Sequence, residues 1–221
     1  MGNSNFELAR SNMIEQQIRP WDVLDPKILT TFEQVPRERF VADDKQDMAF
    51  MDIEIPLGHG ERMLSPKIEG RILQALDLKP SDSVLEIGTG NGYLTACLAH
   101  LSSAVFSVEL HQDLKERAEA NLASQSINNI TLWTGDAANG WLKAPKVYDA
   151  IVVSGSLPDY DPCFEQQLKI GGRLLMIVGN APAMKAMLIT KVSDSSFSRE
   201  SLFETVLKPL VGREPQNVFK L

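Results

Sequence analysis

Val84-Leu85-Glu86-Ile87-Gly88-Thr89-Gly90-Asn91-Gly92-Tyr93 is the stretch that decides the fold of this chain. A short apolar strand ends in a carboxylate, glycines follow at alternate positions, and an alanine- and leucine-rich helical pattern (Leu94 to Leu101) starts at once. Strand, glycine turn and helix in that order build the nucleotide-cradling corner of a doubly wound α/β sheet. Glycine lets the backbone turn sharply and leaves no Cβ in a ligand's path. The unpaired N–H groups of the next helix then face that ligand. A dinucleotide fingerprint would need glycine at position 93, where Tyr93 stands, which disfavours a nicotinamide cofactor.

Outward from this loop, the distances are those of βαβ units. Ser103 to Val108 reads as a second strand ending at Glu109, about 20 residues past the first glycine, where such folds place a ribose-binding acid. A third strand, Ile130 to Trp133, runs into Gly135-Asp136-Ala137. Each acid alone would read as a solvated strand end or an Asp turn before a helix. Acids at three successive strand ends are hard to explain by turn chemistry.

Bulk properties set the class. The chain has 221 residues, enough for one large α/β domain with a buried core. A net charge of −7 argues against a dedicated nucleic-acid binder. No apolar run is long enough to span a bilayer, and MGNSNFELAR carries neither a signal core nor, with Phe6 at the Ser/Thr position, a myristoylation pattern. Cys97, Cys163, His59, His100 and His111 show no disulfide or metal spacing. These features predict a cytoplasmic protein without a metal.

Residues 1–80 read as a helical cover, with helices at Phe6 to Ile18, Pro26 to Val35 and Ser65 to Leu78 punctuated by Pro36, Pro56 and Pro66. Residues 81–221 read as the α/β core of the same single domain, 1–221. Ala150 to Val153 has the continuous apolar character of a central parallel strand. Asp161 to Lys169 is expected as a helix broken by Gly171-Gly172, with a fifth strand at Arg173 to Val178. Strands near Lys185 to Val192 and Ser201 to Val211, joined by a short polar link, predict an antiparallel hairpin at the edge. The sum is a mostly parallel seven-stranded Rossmann-like sheet with an N-terminal cover.

The E-x-G-x-G-x-G run at Glu86–Gly92 resembles motif I of the class I S-adenosylmethionine-dependent methyltransferases. Nearly the whole chain resembles one branch, the protein-L-isoaspartate O-methyltransferases. Met13-Ile14-Glu15-Gln16-Gln17-Ile18-Arg19 is similar to that family's opening helix, and Val35-Pro36-Arg37-Glu38-Arg39-Phe40-Val41 to its VPRexFV signature. Ala49-Phe50-Met51-Asp52 with Ile55-Pro56-Leu57-Gly58-His59-Gly60, Gly140-Trp141, Tyr148 to Val153 and Lys208-Pro209-Leu210-Val211 also fit.

The resemblance implies S-adenosyl-L-methionine as cofactor and isoaspartyl residues of damaged proteins or peptides as partners, for a monomer or weak homo-oligomer. It implies that Gly88, Gly90 and Gly92 lie along the methionine part, an acid near Glu86 faces its ammonium end, Glu109 binds the ribose, and Asp136 with Ala137 reads the adenine. The substrate half departs from the family. Where the family reads Q-T-I-S-x-P, this chain reads Glu61-Arg62-Met63-Leu64-Ser65-Pro66, and the family's Thr-Ala-Ala becomes Ser154-Gly155-Ser156. Ser65 either takes the family's active-site hydroxyl role or caps the helix that Pro66 begins. Arg62 either pairs with a substrate carboxylate or fills the acceptor's space, which would mean a different methyl acceptor. Arg62 and Ser154 stand as the candidate substrate-binding residues, Ser65 as the candidate catalytic one.

Overall fold

A computed structural model describes residues 2–143 and 147–215, with side chains from residue 5 onward. The ends of the expected 1–221 domain, residue 1 and residues 216–221, lie outside the described residues. The cover contains α1 (Gly2–Met13), which tightens into a π-helical turn at Ile14–Ile18, and α2 (Pro26–Gln34). A feature not anticipated from sequence follows, a small antiparallel hairpin of β1 (Ile55–Gly58) and β2 (Glu61–Met63). Its turn needs left-handed backbone at Gly58, His59 and Gly60 (φ 109°, 53° and 74°), which explains two of the three residue types. Helix α3 (Pro66–Leu76) then leads into the core.

The core strands are β3 (Ser83–Ile87), β4 (Ala104–Glu109), β5 (Ile130–Thr134), β6 (Tyr148–Leu157), β7 (Leu168–Asn180), β8 (Ala183–Ser193) and β9 (Ser196–Thr205). They form one sheet in the order β5-β4-β3-β6-β7-β8-β9. The first five run parallel; β8 pairs antiparallel with β7, and β9 pairs antiparallel with β8 at the edge, the hairpin that the short polar link predicts. From β3 the chain moves to β4 on one side and later to β6 on the other, so the carboxyl ends of these strands border a topological switch point.

Alternation along the strands divides the core into two layers. Val84, Ala150, Val152, Leu175 and Ile177 face the layer that holds the cover, α3, α4 (Tyr93–Leu101) and α5 (Gln112–Ser124). Leu85, Ile87, Ile151, Val153, Leu174 and Met176 face the other, which Trp141, Tyr148 and Phe164 close.

Two expectations are corrected. Asp161–Lys169 is not an α-helix: a single 3-10 turn spans Pro162–Gln167, and the chain is extended again at Leu168. Asp161 Oδ1 accepts from Cys163 N (2.9 Å), which starts the turn, but Gln167 is buried with its amide bonded to the backbone of Trp141 and cannot continue a solvent-facing helix. Gly171-Gly172 accordingly lies inside β7 as an irregularity, where a Cβ on Gly172 would meet Lys169 O at 2.8 Å. The last strand ends at Thr205, not Val211. Residues 207–210 instead form a strap along β6, with Ser156 N donating to Lys208 O (2.9 Å) and Leu210 N to Ser156 O (3.0 Å).

Candidate active site

Gly88, Gly90 and Gly92 carry φ of 95°, 58° and 87°, a region closed to most side chains, so the loop between β3 and α4 exists only because glycine stands there. A Cβ on Gly90 would lie 3.1 Å from Leu57 Cδ1, which shows how closely β1 comes down on the loop. Thr89 and Asn91 are buried between the glycines and fix the turn. Thr89 Oγ1 shares a hydrogen bond with Ser107 Oγ (2.6 Å), and Asn91 Nδ2 donates to Phe40 O (2.9 Å).

The loop borders a cleft at the carboxyl ends of β3, β4, β5 and β6. Gly88, Gly90, Glu109, Asp136, Ala137, Arg62 and Ser154 all line it, although they come from distant parts of the chain. Glu109 is nearly buried. Its Oε2 accepts from Gly90 N (2.8 Å) and its Oε1 from His111 N (3.0 Å), so the second strand-end acid braces the glycine loop. Asp136 Oδ1 accepts from Ala138 N (2.9 Å), and this Asx turn aims the following backbone into the cleft. Ser154 Oγ is buried without a hydrogen-bond partner among the described residues, a hydroxyl left for a ligand.

Three expected residues stand elsewhere. Gly92 is the first residue before α4 and packs against α5, where a Cβ would meet Ala118 Cβ at 3.2 Å. Glu86 does not line the cleft. Strand alternation turns it under α4, where Oε2 accepts from Thr95 Oγ1 (2.5 Å) and Ser107 Oγ (2.6 Å). Burial, only partly offset by these two donors, pushes its carboxyl up to about 8. Ser65 occupies the N-cap position of α3, but its hydroxyl makes no capping bond and it does not line the cleft; Leu64 lines it instead.

The cleft also has residues to which the sequence assigned no site role. Leu57, Glu54 and Glu61 come from the hairpin region, His111 from the start of α5, Leu207 to Leu210 from the strap, and Val211 from just beyond it. Lys208 Nζ bonds Glu61 Oε1 across the mouth, and His59 stacks on His111 with ring centroids 4.1 Å apart. Ile55 and Leu57 do alternate with Pro56 and Gly58, but strands of four and three residues are too short for that alternation to mark them, so only the Gly-His-Gly punctuation did. His111 was legible only as the second residue after Glu109.

The sequence matches the family described as protein-L-isoaspartate(D-aspartate) O-methyltransferase over residues 8–215. The chain belongs to that family. A protein-L-isoaspartate O-methyltransferase of Petrotoga mobilis is 36% identical over 94% of this chain and 98% of its own length. One from Rhodopseudomonas palustris is 37% identical over 96% of this chain and 86% of its own. A Plasmodium falciparum structure, described as a protein-L-isoaspartate O-methyltransferase in complex with S-adenosyl-L-homocysteine, superposes with a TM-score of 0.77 at 20% identity. It covers 93% of this chain and 97% of that one, and shares the fold. Family membership accounts for the cover and hairpin as well as the cofactor loop, since the match begins at residue 8, well before β3.

The residues present fit the family's cofactor. Of the acids lining the cleft, Glu109 and Asp136 have no cationic partner among the described residues, which suits a sulfonium cation. The glycine loop offers a path free of Cβ atoms, and the orphan hydroxyl of Ser154 awaits a polar partner.

Proposed function

We propose that this chain transfers a methyl group from S-adenosylmethionine to the free α-carboxylate of isoaspartyl residues in damaged proteins and peptides. The observation that carries the reading is the convergence of the glycine loop, Glu109, Asp136 and the hairpin on one cleft, in a chain that belongs to the isoaspartate methyltransferase family from residue 8 onward. When bound, S-adenosylmethionine supplies an electrophilic methyl group on a cationic sulfur. Gly88 and Gly90 give its methionine part close backbone approach, Glu109 accepts from the ribose hydroxyls, and Asp136 with the backbone of Ala137 takes the adenine edge.

No general base is required of the protein. An aspartyl-type carboxyl titrates near a pKa of about 3.9, so at neutral pH the acceptor is already the nucleophile. What remains is to hold an oxygen in line behind the methyl group at about 3 Å and to exclude water, and orientation of that kind supplies much of the rate. Leu57, Leu64 and the strap of residues 207–210 wall the acceptor side. The partners are isoaspartyl polypeptides rather than nucleic acid, met in the cytoplasm by a monomer or weak homo-oligomer.

Methyl transfer from labelled S-adenosylmethionine to an isoaspartyl peptide, with the matched aspartyl peptide as control, tests this reading. The expected result is base-labile label on the isoaspartyl peptide alone. Tight cofactor binding with no label on either peptide would leave the cleft's cofactor half standing and discard the acceptor.

A further inference from the structure

Arg62 enters the cleft with its donors unused. It stands on β2 opposite Pro56 of β1, its side chain about half exposed, and no group among the described residues accepts a hydrogen bond from it. Its one ionic neighbour is Glu54, also on the cleft wall, with Nε to Oε2 at 3.9 Å, beyond hydrogen-bond reach. The nearby cations are already committed. Lys208 is bonded to Glu61, and Arg37 is sealed below the cleft by Glu69 and the carbonyls of Ala49 (2.8 Å) and Leu64 (2.6 Å).

We infer that Arg62 grips the acceptor carboxylate, and that Glu54 competes with the acceptor for it and recovers it after methylation. The inference rests on the proposed function and adds to it the residues that set acceptor affinity. A guanidinium N–H donated to one carboxylate oxygen leaves the second oxygen free to attack. That oxygen forms a bond to the methyl carbon while the carbon–sulfur bond breaks, and the electron pair stays on sulfur. The acceptor enters as an anion and leaves as a neutral ester, so the charge that drew Arg62 away disappears in the same step. Arg62 then returns to Glu54 and the ester is released. Glu54 is poised for this exchange. Burial raises its carboxyl pKa and the charge of Arg62 lowers it again, so departure of Arg62 favours a proton on Glu54.

A kinetic double-mutant cycle with the isoaspartyl peptide tests the exchange. Glu54→Gln removes the competitor and should lower the KM for the peptide about threefold, the size expected of a partly exposed ion pair. Arg62→Gln should raise that KM at least about tenfold, as the loss of a charge-assisted hydrogen bond does. In the Arg62→Gln background, Glu54→Gln should have no further effect, and the Kd for S-adenosylmethionine should be the same in all four proteins. A tighter-binding variant cannot arise from misfolding. An unchanged or raised KM in Glu54→Gln, or an equal gain with Arg62 absent, would overturn the exchange while wild-type transfer keeps the function reading intact. Failure of the wild-type protein to methylate the peptide would bring down both.

Discussion

Glu86 has no exposed surface, and its surroundings set how stability responds to pH. Burial outweighs the two hydroxyls that donate to its Oε2, from Thr95 and Ser107, and Oε1 has no partner among the described residues, so a proton on the carboxyl is favoured. With a folded pKa of about 8 against an unfolded value near 4.3, the native state binds more protons across that window. Stability from this group is therefore complete below about pH 4.3, declines as pH rises, and levels off above the folded pKa. The slope is at most about 1.4 kcal/mol per pH unit. Glu86→Gln should flatten the fall in Tm between pH 5 and 8 relative to wild type. Glu69, raised by burial to about 7, titrates in both proteins, so the difference between the two curves reports chiefly on Glu86. Parallel Tm curves would show that Glu86 is charged in the native state. The residue also shows where reading from sequence stops. Its place before the glycines was legible and suggested a ligand contact, but its direction is fixed by strand alternation and by Thr95 on a helix that had not yet been built.

At the scale of elements, caps separate helices that local sequence fixes from those that packing fixes. Asp25 and Ser65 both precede a proline that begins a helix, and they read alike in the sequence. In the structure Asp25 Oδ1 accepts from Lys27 N (2.8 Å), whereas the Ser65 hydroxyl makes no capping bond. Asp25→Ala should therefore cost about 1 kcal/mol in chemical denaturation, and Ser65→Ala only a few tenths of that. Equal losses would mean that Ser65 does cap α3. A Ser65→Ala protein that is fully stable but inactive would return that hydroxyl to the catalytic role. The parallel strands were legible because buried strands are apolar throughout, and β3, β4 and β5 fall within a residue or two of expectation. The misreadings, the 3-10 turn at Pro162–Gln167 and the end of β9, lie where a tertiary partner decides the conformation. Trp141 captures Gln167, and β6 captures the strap.

At the scale of the molecule, the cover and the α/β core share one interior. Met13, Ile14, Ile18, Phe32 and Phe40 belong to the same buried cluster as Leu73, Tyr93, Leu98 and Val152. Phe32 and Phe40 lie against Tyr93, the first residue of α4, at ring centroid distances of 6.2 and 5.5 Å. The guanidinium of Arg37 sits 4.8 Å over the same ring while it bonds Glu69 of α3. A core built this way cannot lose the cover without exposing the back of the cofactor loop, so the two parts should unfold as one cooperative unit. Phe32→Ala provides the test. Removing a fully buried phenylalanine should cost about 3–5 kcal/mol, which in a chain of this size lowers Tm by roughly 6–20 °C. The cooperative account requires the far-ultraviolet circular dichroism melt and the tryptophan fluorescence melt to move down together and stay coincident. It also requires Kd for S-adenosylmethionine to be unchanged well below the new Tm. An early transition confined to part of the helical signal, with cofactor still bound above it, would instead make residues 1–80 a separately folding cover over a self-sufficient methyltransferase core.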